Sequence, residues 1–125
     1  MKIRNIVLSA ALVTALAPAA HAGTKIMATG PGSRFYPTSQ QLDCNILNAN
    51  KTDKPVTIDI LDYSGNVLVT SGPITVASYT GATVSDPSNS SAWCRFTVDG
   101  SPKKYRAAAV YSTATHGYTT VTPAQ

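Results

Sequence analysis

The sequence contains no glutamate and only two histidines, so it is poor in the side chains that enzymes most often use for proton transfer. His21 lies in the N-terminal segment, which leaves His116 as the only base for a Ser-His-Asp hydrolase. His116 stands in a threonine- and glycine-rich segment, and no serine occupies a G-x-S-x-G pattern. A blue-copper site needs two histidines, and only His116 lies outside the N-terminal segment, so such a site is excluded as well. We therefore expect no enzymatic activity, no catalytic residues and no cofactor.

The acidic side chains are all aspartates, and six are present: Asp43, Asp53, Asp59, Asp62, Asp86 and Asp99. A glycosidase would need two of them as a pair, but Asp62 and Asp99 fall in predicted turns and Asp59 alternates with apolar residues. Oxygen donors are crowded around the first turn, as a calcium site requires, although their spacing misses the EF-hand loop. These donors are Asp59, Asp62, Ser64 and Asn66. Turn formation accounts for the same residues, so we expect no metal site.

Long apolar runs are missing, apart from Ile6–Ala17 near the N-terminus, which is too short to span a bilayer. Its flanks are those of a secretory signal peptide, with Lys2 and Arg4 before it and Pro18 and Ala20-His21-Ala22 after it. We expect cleavage after Ala22, export to the periplasm or the medium, and no membrane span. The remaining residues, 23–125, suffice for a single domain.

Charge is scarce, at 13% of all residues. Beyond the signal segment the chain has eight lysines and arginines against six aspartates, a balance too mild to argue for nucleic acid. One basic cluster, Lys103, Lys104 and Arg106, lies beside Tyr105. It could bind an anionic surface or polysaccharide. Basic residues also discourage edge-to-edge pairing of a terminal strand, and we favour that structural role.

Cysteine is limited to Cys44 and Cys94, and both follow the predicted cleavage point. An exported protein meets oxidising conditions, so one disulfide between these residues is expected. Closing a loop of about 50 residues would stabilise the fold by roughly 4 kcal/mol in the chain-entropy model. The alternatives, a metal pair or a reactive thiol, lack supporting ligands.

The stretch Pro55–Thr70 reads as a β-hairpin, because Val56, Ile58 and Ile60 alternate with polar residues. Asp62-Tyr63-Ser64-Gly65 supplies the turn, with a three-residue loop and a bulge at the glycine. Counting back from this loop pairs Ile60 with Leu68 and Leu61 with Val67. Both faces are then apolar near the turn, which predicts a hairpin internal to a sheet.

Further strands follow from the same alternation and from glycine and proline breaks. We predict strands at Thr24–Thr29, with Ile26 in the core, at Leu42–Ile46, at Ile74–Val76 after a break at Ser71-Gly72-Pro73, at Ala82–Ser85, at Ala92–Val98 and at Lys103–Tyr111. The tail from Ser112 onward either forms an edge strand at Tyr118–Thr122 or frays. Seven or eight short strands without an amphipathic helix predict an all-β, antiparallel, immunoglobulin-like β-sandwich with one disulfide. An open barrel is the competing architecture.

The run Leu42–Val84 resembles the immunoglobulin-like modules of bacterial exported proteins. Cys44-Asn45 and Trp93-Cys94-Arg95-Phe96 are similar to segments of small exported bacterial proteins of unknown function. The antibody pattern itself is not met, since Trp93 adjoins the second cysteine and Ala92 stands where a tyrosine corner would place its tyrosine. The resemblance implies a fold and carries no active site.

Export, a disulfide and the lack of a catalytic set together predict a non-enzymatic binding or structural module. Its partner would be a protein or another component of the cell envelope, with no role for nucleic acid. The alternative is a small secreted enzyme inhibitor that presents a rigid loop, either Gly30–Gln40 or Asp86–Ser91, to an enzyme's cleft.

Overall fold

A computed structural model of the protein describes residues 23–30, 40–87, 92–113 and 117–125. The described chain forms one 3₁₀ turn, Pro102–Lys104, and eight strands: β1 (Thr24–Ala28), β2 (Gln40–Asn48), β3 (Lys54–Asp62), β4 (Val67–Val76), β5 (Gly81–Asp86), β6 (Ala92–Asp99), β7 (Tyr105–Thr113) and β8 (Gly117–Pro123). The predicted signal segment 1–22 and His116 lie outside the described residues.

The strands form two antiparallel four-stranded sheets, in the orders β1-β6-β3-β4 and β5-β2-β7-β8. Buried side chains from both sheets make one core, so the sheets pack face to face as a sandwich. The predicted all-β sandwich of about seven or eight strands is confirmed, and the question of a barrel is answered by the two separate sheets. The immunoglobulin-like description is consistent with this architecture, which does not by itself confirm it.

Strict alternation of side chains builds the core, as the period of two predicts. In β6 the inward residues Ala92, Cys94, Phe96 and Val98 are buried, while the residues between them are partly exposed. Cys44 of β2 and Cys94 form a disulfide, with their Cα atoms 5.7 Å apart. Each of these strands lies inside its own sheet, so the bond links the two sheets through the middle of the core.

The β3–β4 turn has the predicted chemistry. Gly65 adopts φ +85° and donates its N–H to the carbonyl of Asp62 at 3.1 Å. Leu61 pairs with Val67 as predicted, but Ile60 pairs with Val69 and not with Leu68. The register shifts between Ile60 and Leu61, because an extra residue of β4 lies there as a bulge.

The hairpin is internal to its sheet only on the β3 side. β4 is the edge strand, so the prediction of an internal hairpin is wrong for its second half. The predicted break at Ser71-Gly72-Pro73 is wrong too, because β4 continues through it. The Ser71 hydroxyl accepts a 2.9 Å hydrogen bond from the N–H of Ile58 and so replaces a ladder carbonyl at the bulge. Pro73 has no N–H to offer along this edge, which discourages further pairing.

Two strand predictions need smaller corrections. Ile26 was expected in the core, but it is 65% exposed, and the neighbouring Met27 is buried opposite Phe96. The strand predicted at Lys103–Tyr111 begins at Tyr105 and not at Lys103, because Pro102 starts a 3₁₀ turn that includes both lysines.

Candidate binding surface

Three loops meet at one end of the sandwich, where the chain crosses from sheet to sheet: residues 49–53, 77–80 and 100–104. We call this surface the three-loop end. Ser78 links the first two loops, because its N–H donates to the Asp53 carboxylate at 3.0 Å and its hydroxyl to the Asn50 carbonyl at 2.6 Å. The Ala49 N–H donates to the Lys104 carbonyl at 2.9 Å and links the third. The loop 49–53 is therefore bonded to both of the others.

Asn48, the last residue of β2, holds these loops from beneath and is fully buried. Its side-chain amide donates to the carbonyls of Val76 at 2.9 Å and Thr52 at 3.0 Å. Its side-chain oxygen accepts from the backbone N–H and the side-chain amide of Asn50, at 2.9 and 2.8 Å. Since a buried amide needs such partners, the sequence Asn48-Ala49-Asn50 specifies one loop conformation.

Tyr79 lies at the tip of the second loop in the left-handed region, with φ +56°. A bulky residue pays a steric cost there, and the conformation persists only where the surroundings hold it. Thr80 closes the turn through its N–H and its hydroxyl, which both donate to the Ala77 carbonyl, at 3.1 and 2.8 Å. The Tyr79 side chain is 64% exposed, so the turn holds an aromatic ring in solvent.

The three-loop end concentrates the positive charge of the domain. Six of the seven lysines and arginines among the described residues lie at or beside it: Lys25, Lys51, Lys54, Lys103, Lys104 and Arg106. Only two aspartates accompany them. Asp99 is paired with Lys54 at 3.6 Å, and Asp53 accepts the loop hydrogen bond from Ser78. The rest of the described sandwich has four aspartates and one arginine, so among the described residues the positive charge is segregated towards one end.

Arg106 has a defined orientation at the start of β7. Its Nη1 donates to the carbonyls of Lys103 and Tyr105, both at 2.9 Å, so the guanidinium folds back over the 3₁₀ turn. These two bonds use the hydrogens of Nη1 and leave the edge formed by Nε and Nη2 for another partner. That edge has the geometry that binds a carboxylate through two parallel hydrogen bonds.

A shallow groove of about 380 Å³ runs from this arginine down the outer face of β5, β2 and β7. Its outward-facing residues are Asn45, Leu47, Gly81, Thr83, Arg106 and Ala108. Two small residues leave the groove open, because Gly81 pairs with Leu47 on one side and Ala108 pairs with Asn45 on the other. Leu47 is 41% exposed on its floor. The groove begins at Gly81, directly after the 77–80 loop, so the groove and the three-loop end form one continuous surface.

Two ionisable groups near turns have structural roles. Burial, reinforced by the charge of Asp99, raises the pKa of Tyr105, whose hydroxyl donates to the Asp99 carbonyl at 2.5 Å beneath the third loop. The pKa of Asp62 is lowered, chiefly because the Asn66 side chain and N–H donate to its carboxylate. Asp62 also accepts the Ser64 N–H at 2.9 Å. Both groups serve the local fold.

The four oxygen donors considered for calcium make two different sets of contacts. Asp59 lies on the outer face of β3 and forms an ion pair of 2.9 Å with Arg95. Asp62 and Asn66 bond to each other within the turn, as described above. Within the described residues no group of three or more histidine, cysteine or acidic side chains could hold a metal ion.

The structural role that the sequence favoured for Lys103, Lys104 and Arg106 is wrong. β7 is not a terminal strand, because β8 pairs along its other side. Both lysines lie in the 3₁₀ turn, exposed and without an ion pair in the described chain. Protection of a sheet edge therefore does not explain the cluster.

Sequence reasoning missed Tyr79, Lys51 and the groove as parts of one surface. Composition gave no signal for them, because residues 51, 79 and 103–106 become neighbours only through the crossings between sheets. The two loops proposed for an inhibitor, Gly30–Gln40 and Asp86–Ser91, lie largely outside the described residues, and His116 does so entirely.

Comparisons with protein-family models, curated proteins and solved structures found no match to this chain. In the described residues no helix is long and apolar enough to cross a membrane.

Proposed function

We propose that the protein is an exported, non-enzymatic binding module that attaches to an anionic partner of the cell envelope or its surroundings through the three-loop end. The segregation of charge carries this proposal. Six cationic side chains against two aspartates attract a negatively charged partner, although the net charge of the whole protein is modest. The disulfide and the signal-like N-terminus support the exported location.

Rigidity supports the same function. A surface that is already ordered loses less conformational entropy when it binds than a flexible one does. Asn48 and Ser78 tie the loops to each other, and the disulfide ties the sheets beneath them. Lys51 and Lys104 thus project from fixed backbone, which suits recognition of a partner with regularly placed charges.

The experiment measures retention of the purified protein on an immobilised polyanion, dextran sulfate, as the salt concentration is raised. The variant Lys51→Gln/Lys104→Gln removes two exposed charges from the three-loop end. The control Val67→Glu/Val121→Glu lowers the net charge equally at exposed positions away from it. We expect the lysine variant to elute at clearly lower salt than the control. Equal elution of both variants would show that only net charge matters and would refute the proposal.

The inhibitor alternative stays a prediction, since the two loops on which it depends lie largely outside the described residues.

A further inference from the structure

Resting on the proposed function, we infer that the anionic partner is an acidic polysaccharide, whose sugar carboxylate binds Arg106 and whose chain lies in the groove on the outer face of β5, β2 and β7. Three observations support this assignment: the free edge of Arg106, the mixed chemistry of the groove, and the position of the groove next to the three-loop end.

The side chain of Arg106 is oriented to bind a carboxylate. Its Nη1 is held by the carbonyls of Lys103 and Tyr105, so the side chain is already oriented before a ligand arrives. The remaining donors, Nε and Nη2, match the two oxygens of a carboxylate in a planar, bidentate pair. Arg106 is exposed and has no ion pair within the described residues, so no acidic side chain there competes for this edge.

The groove offers both kinds of contact that a sugar ring uses. Leu47, Gly81 and Ala108 provide an apolar floor for the C–H face of a ring. Asn45 and Thr83 provide polar groups at its side. The Thr83 hydroxyl donates to the Asn45 side-chain oxygen at 2.6 Å, which leaves the Asn45 amide hydrogens for a sugar hydroxyl. Few polar groups on a largely apolar concave surface are typical of small-ligand subsites.

The surroundings of the groove suit a polymer. Tyr79 is exposed and stands two residues before Gly81, so the loop that carries it adjoins the upper end of the groove. Lys51 and Lys104 are exposed on the adjoining loops, where further carboxylates of the same chain would meet them. A polysaccharide with one carboxylate per repeat reaches both the groove and the loops, whereas a flat anionic membrane contacts the convex loops and leaves the groove empty.

The test compares binding of three probes to the purified protein by calorimetry: polygalacturonate, dextran sulfate and phosphatidylglycerol vesicles. Two variants change the groove and keep the net charge of the protein. Arg106→Lys keeps the positive charge but loses the two parallel donors Nε and Nη2. Ala108→Leu places a larger side chain in the groove. Circular dichroism and urea unfolding verify that each variant remains folded.

We expect Arg106→Lys to weaken polygalacturonate binding by about tenfold, because a bidentate pair is reduced to a single charge contact. Ala108→Leu should weaken it similarly, while dextran sulfate binding by both variants stays near that of the parent. Unchanged polygalacturonate binding in both variants would overturn the polysaccharide assignment, and so would tighter binding to vesicles than to polygalacturonate. Either result would still allow the three-loop end to be an anion-binding surface. The proposed function itself would fail if the protein bound none of the three probes.

Discussion

The side-chain amide of Asn48 donates a 2.9 Å hydrogen bond to the backbone carbonyl of Val76, joining the last residue of β2 to the last residue of β4 in the opposite sheet. The two residues are 28 positions apart in the chain. Both are buried, so the bond is shielded from competing water. One asparagine therefore fixes the positions of two of the three loops at the three-loop end.

We predict that Asn48→Ala lowers the free energy of unfolding by about 3 kcal/mol, because it leaves several buried backbone and side-chain groups without partners. The matched control is Asn66→Ala, which removes an exposed side-chain bond to Asp62 and should cost below about 1 kcal/mol. Urea unfolding measures both. Similar losses in the two variants would mean that Asn48 does not organise the loops.

The disulfide gives a second prediction. Cys44→Ala/Cys94→Ala should lower the free energy of unfolding by about 4 kcal/mol, since the bond closes a loop of about 50 residues between the sheets. Urea unfolding of the oxidised parent and the variant measures the difference. A thiol titration of the parent under denaturing, non-reducing conditions serves as the control. Free thiols in that titration would contradict the bond itself.

The raised pKa of Tyr105 predicts how the free energy of unfolding changes at alkaline pH. Burial raises the pKa of its hydroxyl in the folded state, so the unfolded chain ionises first as pH increases. The stabilisation is complete below the ordinary tyrosine pKa of about 10 and is lost as pH rises through the folded value. Tyr105→Phe should cost about 1 kcal/mol at pH 7, because the bond to Asp99 is lost. The gap between parent and variant should narrow above pH 10, and a constant gap in urea unfolding would contradict this.

Alternation of apolar residues was sufficient to predict the inward face of β6. The pairing of Cys44 with Cys94 could be predicted because the chain has only these two cysteines and its N-terminus predicts export. It failed at β1, where Ile26 and Met27 are adjacent and apolar. Local sequence cannot choose between two faces in such a strand, and the choice depends on Phe96 across the sheet. It failed at Ser71 for a similar reason, since a hydroxyl that replaces a ladder carbonyl leaves no pattern in the sequence. The binding surface depends on three sheet crossings and was beyond local reasoning.

A substitution of Tyr79 should change stability and binding in opposite directions, because its backbone is strained while its ring is exposed. Asparagine tolerates the left-handed region far better than tyrosine, so Tyr79→Asn should raise the free energy of unfolding by up to about 1 kcal/mol. The same variant should bind polygalacturonate more weakly, since the exposed ring beside the groove is gone. Tyr63→Asn is the matched control: this tyrosine is 57% exposed in the β3–β4 turn, without a positive φ. We expect Tyr63→Asn to gain no stability and to keep its binding to polygalacturonate. Urea unfolding and calorimetry on both variants decide the matter, and a Tyr79→Asn protein that gains stability and keeps full binding would mean that the strained turn serves no ligand.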